Sequence, residues 1–201
     1  MNVFDLSEFQ PDDRVRVLAE HYNADGFIFK LGETINGTPE LDPKCADFIN
    51  DAKNEGKPFG VYFVSHARAM DDFMTEAHWI NDTLFDLLGD TFPELGIWWD
   101  MEYSTVCRAD VWPQLRDAIG TMEDWYKDMR VGIYAGYSYF YDWLDFDELN
   151  EYQIPLWVAQ YGYHENSLKA EHPELKHVAW QYSDTTGPLS QDVSEWYGFE
   201  G

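Results

Sequence analysis

Short apolar runs recur along this chain at near-regular intervals. Between them lie longer stretches whose apolar residues fall three and four positions apart. The runs predict strands and the stretches predict amphipathic helices. Asn2–Leu6 reads as a first strand with Asp5 near its end, and Pro11-Asp12 opens a helix with Val15, Leu18, Ala19 and Tyr22 on one face. Gly26 marks the turn into a second strand, Phe27–Leu31, and residues 32–41 read as a polar loop. Asp42-Pro43 starts the next helix, with Pro at its first position, Cys45, Ile49 and Ala52 inward, and Gly56 as the stop.

Pro58 leads into a third strand, Phe59–Ser65, and then a long helix carries Phe73, Ala77, Ile80, Leu84 and Leu87 along one stripe. A fourth strand covers residues 96–102. The next helix runs from about Asp110 to Lys127, with Val111, Leu115, Ile119, Met122 and Tyr126 inward, and Val131–Ala135 is a fifth strand. The alternation then weakens. Residues 137–150 hold one or two short helical turns, Leu156–Tyr161 and His177–Tyr182 are strands six and seven, and a short eighth strand lies near Asp192. This order predicts one domain over residues 1–201: an irregular, TIM-like parallel (β/α) barrel of eight strands, its helices reduced in the C-terminal part. An open doubly wound sheet is the alternative, but no glycine-rich phosphate loop follows the first strand.

The stretch Gly96-Ile97-Trp98-Trp99-Asp100-Met101-Glu102-Tyr103 carries the most chemistry. Side chains alternate along a strand, so Asp100 and Glu102 point to one side. Two neighbouring acids among apolar groups cannot both ionise cheaply, and the more buried one holds its proton to higher pH. That arrangement suits general acid catalysis beside a carboxylate that stabilises positive charge. The plain alternative is a strand running into an acidic loop.

Composition narrows the partners. The 38 acids against 13 bases leave a net charge of −25, which argues against nucleic acid and against an anionic membrane surface. No apolar run is long enough to span a bilayer, and no secretory signal precedes the first strand. Aromatic residues make up 17%, a share that serves either a core or a sugar-binding cleft. Cys45 and Cys107 lack CxxC spacing and read as reduced thiols. The six histidines show no HExxH spacing and there is no GxSxG elbow, so neither a metal site nor another cofactor is expected.

If the barrel forms, Asp5, Asp100, Glu102 and Asp192 gather at one mouth with Tyr62, Tyr134, Trp157, Tyr161 and Gln181. These residues lie in motifs that resemble glycoside hydrolase family 25, the Chalaropsis-type lysozymes. Asp5-Leu6-Ser7-Glu8-Phe9-Gln10 is similar to the opening motif, Lys30-Leu31-Gly32-Glu33 with Asp42 to the second, and Gly60-Val61-Tyr62-Phe63 to the third. Asp100-Met101-Glu102 is similar to the Asp-x-Glu of the family. Gly132-Ile133-Tyr134, Leu156–Tyr161, Trp180-Gln181-Tyr182-Ser183 and Asp192…Tyr197-Gly198 follow in the same order. The family usually has Ser or Thr and then Glu-Gly after the lysine. Gly32, Glu33 and Thr34 depart from that pattern, and Glu33 reads as a structural or rim acid.

The resemblance implies a peptidoglycan hydrolase that cleaves the β-1,4 bond between N-acetylmuramic acid and N-acetylglucosamine. It makes Glu102 the general acid and Asp100 the group that stabilises the oxocarbenium-like transition state, as nucleophile or by orienting the substrate acetamido group. Asp5 and Asp192 tune the cleft, while Tyr62, Tyr134, Trp157, Tyr161 and Gln181 hold the sugars. The outer acids should then lose their protons first and Glu102 last. The partner implied is the glycan strand of the bacterial wall, met by a monomer. A chitinase-like hydrolase and an inactive wall-binding module are the rival readings. The longer Asp-x-x-Asp-x-Asp-x-Glu run of the former is missing, since positions 95–98 are Leu-Gly-Ile-Trp.

Overall fold

Eight strands close into a barrel around a plug of aromatic rings. The computed structural model describes residues 1–89, 91–125, 130–186 and 190–200. The barrel strands are β1 (Asn2–Leu6), β2 (Gly26–Ile35), β4 (Phe59–Val64), β5 (Ile97–Asp100), β6 (Val131–Gly136), β7 (Leu156–Ala159), β8 (His177–Thr186) and β9 (Gln191–Trp196). They follow one another in that order, and β1 pairs with both β2 and β9 to shut the sheet. The helices α1 (Arg14–His21), α2 (Cys45–Asn54), α3 (Met70–Leu88) and α4 (Trp112–Trp125) follow strands in alternation. The later helices are short: α5 (Tyr137–Trp143), α6 (Phe146–Glu151) and α7 (Ser167–Glu171). Tyr126 and Lys127, expected to continue α4, lie outside the described residues.

Two expectations are corrected. The polar stretch 32–41 is not a loop. β2 runs on to Ile35 and turns back through Asn36-Gly37 into β3 (Thr38–Leu41). Asn36 and Gly37 both have positive φ, 53° and 83°, the backbone that a tight hairpin turn demands. The barrel is also not wholly parallel, because β9 runs antiparallel to β8 and to β1. The link between β8 and β9 is a few residues long. A parallel return needs a crossover of a dozen or more, so the short link dictates a hairpin.

Each strand divides its side chains between two cores. Outward residues such as Phe27, Phe29, Phe63 and Trp99 pack against helix faces that include Phe48 of α2 and Phe73 and Ile80 of α3. Inward residues fill the barrel, and Trp98 is their hub. Its indole lies 5.8 Å from Trp157, 6.0 Å from Trp196 and 6.0 Å from Phe199, and donates to the Leu95 carbonyl at 2.7 Å. Gly132 on the neighbouring strand makes room for it. A Cβ there would meet the Trp98 ring at 2.6 Å and the Pro155 carbonyl oxygen at 2.6 Å.

One buried acid ties α3 to the barrel. Glu76, 1% exposed, accepts from Thr34 Oγ1 at 2.6 Å, Ser65 Oγ at 2.7 Å and His66 N at 3.3 Å. Burial raises its pKa to about 7, against the pull of those donors.

Two predictions follow from this packing. Gly132→Ala should destabilise by at least about 1–3 kcal/mol, since the methyl meets backbone on one side and the plug on the other. Gly120→Ala, at an exposed position of α4 where a Cβ meets nothing within 4 Å, should stabilise by about 1 kcal/mol. Urea unfolding of the two variants should therefore show shifts of opposite sign. The second prediction concerns Glu76, whose folded pKa lies above its unfolded one. Its contribution is complete below pH 4.5 and is lost as pH rises toward 7. Unfolding free energy should fall through that window by about 1.4 kcal/mol per pH unit from this group, and Glu76→Gln should remove that share of the slope.

Candidate active site

The two-residue alternation that points Trp98 into the barrel also points Asp100 inward, one layer nearer the mouth. Asp100 is the last residue of β5 and is 6% exposed, while Glu102 lies just beyond the strand and is exposed. The same alternation raises Asp5 above Val3 on β1, Tyr62 above Gly60 on β4 and Gln181 above Ala179 on β8. On β9 the order is reversed. Because β9 is antiparallel it enters the barrel at the mouth, so Asp192 comes near its start and Trp196 lies deeper. The correction to the last strand's direction is thus what brings Asp192 to this end. The register Phe4↔Val193 sets Asp5 beside Asp192.

Asp5, Asp100, Glu102 and Asp192 border one cavity of about 120 Å³ with Tyr62, Tyr134, Trp157 and Gln181. Tyr161 stands at its rim, 43% exposed. Gln181 organises the polar wall. Its Nε2 donates to Asp5 Oδ2 at 2.9 Å, and its Oε1 accepts from Tyr134 OH at 2.8 Å and Tyr161 OH at 2.5 Å. Two residues that the sequence reading passed over complete the frame. Gln191 Nε2 donates to the Asp5 carbonyl at 2.6 Å, and Ser194 Oγ accepts from Trp157 Nε1 at 2.9 Å. Asp100 Oδ1 is buried and has no hydrogen-bond partner among the described residues. A buried acceptor left open in a cavity is a place for a ligand's donor or for positive charge.

Burial dominates the electrostatics of the four acids. It raises Asp5 well above the usual range, with Asp192 and Glu102 adding repulsion and the Gln181 donor opposing them. Asp100 is raised well above that range by burial, then by Glu102 and Asp5, against the pull of Lys30. Burial and Asp192 raise Glu102, and burial brings Asp192 to about 6. Asp5 and Asp192 face each other across the β1–β9 pairing, and their contact couples the proton of one to that of the other. Asp100 sits deeper than Glu102, and burial is the first cause of the rise at both.

A second polar cluster flanks the first. The pairing of β2 with β4 slips between Lys30 and Gly32, a bulge that resets the alternation. Glu33 thereby shares a face with Lys30 although the two are three positions apart. Lys30 Nζ meets Glu33 Oε2 at 2.6 Å, and Glu33 Oε1 meets His66 Nε2 at 3.0 Å. The His66 ring lies 3.6 Å from that of Tyr103, the residue after Glu102. Glu33 is a half-buried ion-pair acid, in line with the structural reading of it. His66 and Tyr103 had no role in the sequence reading. Their contact joins residues 37 positions apart and leaves no local spacing signal. Cys45 and Cys107 are both free thiols.

The sequence profile of glycosyl hydrolases family 25 matches residues 4–189. The chain belongs to glycosyl hydrolases family 25. Solved structures share the fold of this family 25 chain at low identity. The modular autolysin LytC from Streptococcus pneumoniae superposes with a TM-score of 0.76 at 23% identity over 98% of this chain, which spans 46% of LytC. The catalytic domain of endolysin ply40 from bacteriophage P40 of Listeria monocytogenes gives 0.72 at 20%, over 98% of this chain and 92% of that one. A muramidase from Trichobolus zukalii gives 0.66 at 20%, over 98% and 94%. No curated protein matches the chain by sequence. Among the described residues, no helix is long and apolar enough to cross a membrane.

The acid cluster of this family 25 chain generates a titration prediction. In carboxyl ¹³C spectra Asp192 should titrate with an apparent midpoint near 6, and Asp100 should titrate above the ordinary aspartate range. Titration of Asp100 in the ordinary aspartate range would show that water reaches it and that the cavity is not closed around it.

Proposed function

We propose that this chain is an N-acetylmuramidase: a single catalytic domain that hydrolyses the β-1,4 bond between N-acetylmuramic acid and N-acetylglucosamine in peptidoglycan. One observation carries the reading. Carboxyl groups from β1, from β9 and from the end of β5 converge on one aromatic-walled cavity, in a chain of glycosyl hydrolases family 25. LytC has been solved in complex with a synthetic peptidoglycan ligand, which supports the same substrate class here. The pairing of β1 with β9 supports a single unit, since it ties the two ends of the chain into one barrel. The bacterial wall is accordingly the proposed place of action.

Glu102 is the general acid. It lies at the exposed lip of the cavity, and burial and Asp192 favour its protonated form. Asp100 is the charge stabiliser below the ring. Its carboxylate is costly to ionise in the empty cavity, because burial and two neighbouring acids oppose the charge. An oxocarbenium-like ring supplies the missing positive partner, so the interaction is stronger in the transition state than with the neutral sugar. Burial raises both Asp5 and Asp192, and that opposes the build-up of negative charge around Glu102. Tyr62, Tyr134, Trp157, Tyr161 and Gln181 shape the sugar subsites.

Glu102→Gln keeps the shape and removes the ionisable proton. Its rate on purified peptidoglycan should fall by about 10²–10⁴-fold with folding unchanged. Mass analysis of wild-type digests should show fragments ending in reducing N-acetylmuramic acid. Fragments ending in reducing N-acetylglucosamine, or a variant retaining more than about a third of the rate, would refute the assignment. The rate should also decline on the alkaline side as Glu102 loses its proton.

A further inference from the structure

A second concavity is larger than the acid cavity. A pocket of about 490 Å³ lies between the β2–β3 hairpin and the start of α3, bordered by Asn36, His66, Arg68, Asp72 and Glu76 among others. Its size is that of a small-molecule or short-peptide site. It opens at the same end of the barrel as the acid cavity. The segment that forms one wall leaves β4 at Ser65, whose N–H donates to the Asp100 carbonyl at 3.1 Å. His66 belongs to both regions, lining this pocket and lying 3.6 Å from the Tyr103 ring beside Glu102.

The backbone N–H groups of the wall are already committed. His66 N donates to Glu76, Ala67 N to Ser65 Oγ, and Arg68 N and Ala69 N to Asp72 Oδ2. Arg108 Nη1 holds the Arg68 carbonyl at 3.3 Å. Both acids of the pocket are thus engaged from within: Asp72 caps the segment, and Glu76 accepts three donors. Asn36 and Arg68 remain. Among the described residues, neither side chain has a hydrogen-bond or ion-pair partner, and both are exposed. In a chain of net charge −25, the pocket therefore offers a fixed frame with uncommitted donors and an unpaired guanidinium. That pattern recognises a carboxylate with a neighbouring carbonyl.

We propose that this pocket is a subsite for the acidic peptide stem that projects from N-acetylmuramic acid, with Arg68 pairing a stem carboxylate and Asn36 bonding the stem backbone. The inference rests on the muramidase reading, because the stem is presented there only if the sugar chain lies across the acid cavity. It makes Arg68 a specificity residue: it distinguishes glycan with stems from bare glycan and takes no part in bond cleavage.

The test compares two soluble glycan preparations, one with its stems and the same one stripped of them by an amidase. Arg68→Ala should raise KM on the stem-bearing glycan by about tenfold or more, the scale of one charge-assisted hydrogen bond, with kcat unchanged. Arg68→Glu should raise it further and Arg68→Lys should recover part of the loss. All three should match wild type on the stripped glycan. Equal effects on both preparations, or no effect on either, would overturn the proposal. If wild type cleaves neither preparation, the muramidase reading fails, and a separate measurement decides the pocket. Titration with the synthetic tripeptide L-Ala-γ-D-Glu-L-Lys should give saturable NMR shifts at Arg68 and Asn36 that vanish in Arg68→Glu. No shifts at millimolar peptide would show that the pocket takes no stem.

Discussion

Everything at the mouth of this barrel depends on the filling of its interior by Trp98. The indole is wedged among Trp157, Trp196 and Phe199, and glycine at position 132 leaves the space that it needs. A plugged barrel has a dry floor. Asp100 follows Trp98 by two residues on the same strand, so it stands on that floor and is desolvated by it. The chain therefore perturbs this carboxyl mainly by what lies beneath it, and the neighbouring acids add to the effect.

The closing strand solves a geometric problem. A parallel eighth strand would need a crossover segment between β8 and β9, and the chain supplies only a short link. Reversing β9 closes the sheet with little chain. It also fixes which end of β9 reaches the mouth, and with it the position of Asp192 beside Asp5. A one-residue slip of β9 would turn Asp192 out of the barrel and leave Asp5 without its proton-sharing partner. The bonds from Gln191 to the Asp5 carbonyl and from Trp157 to Ser194 pin that register from the side chains.

Much of this was legible in the sequence. The strand–helix order, the short helices of the second half and the convergence of four acids with their aromatic neighbours follow from periodicity and from the motif order. What was missed depends on local backbone geometry or on long-range contact. The hairpin at Asn36-Gly37 was hidden by its polar strands, although that dipeptide is itself a turn signal. The bulge at Lys30–Gly32 obscures the pairing of Lys30 with Glu33, because strict alternation puts residues three apart on opposite faces. Which of Asp100 and Glu102 is the deeper could not be read from their spacing. It depends on where β5 ends relative to the rim.

The same geometry explains how so acidic a chain keeps an ordered acid cluster at all. Four carboxyls sharing a cavity would repel one another strongly if all were charged. Burial opposes this by favouring the protonated form of the deepest groups, and a proton between Asp5 and Asp192 turns their repulsion into a hydrogen bond. Lys30 tempers Asp100 from the β2 side, but Glu33 takes up the ammonium at 2.6 Å, so it is only a partial counter-charge. When Asp100 ionises, the cavity is short of one positive partner there, and its open Oδ1 marks where that partner belongs. Under the proposed reaction the partner is the sugar ring itself, at the moment when it carries positive charge. A site fully neutralised by its own bases would bind a neutral sugar equally well and would have no such preference left for the transition state.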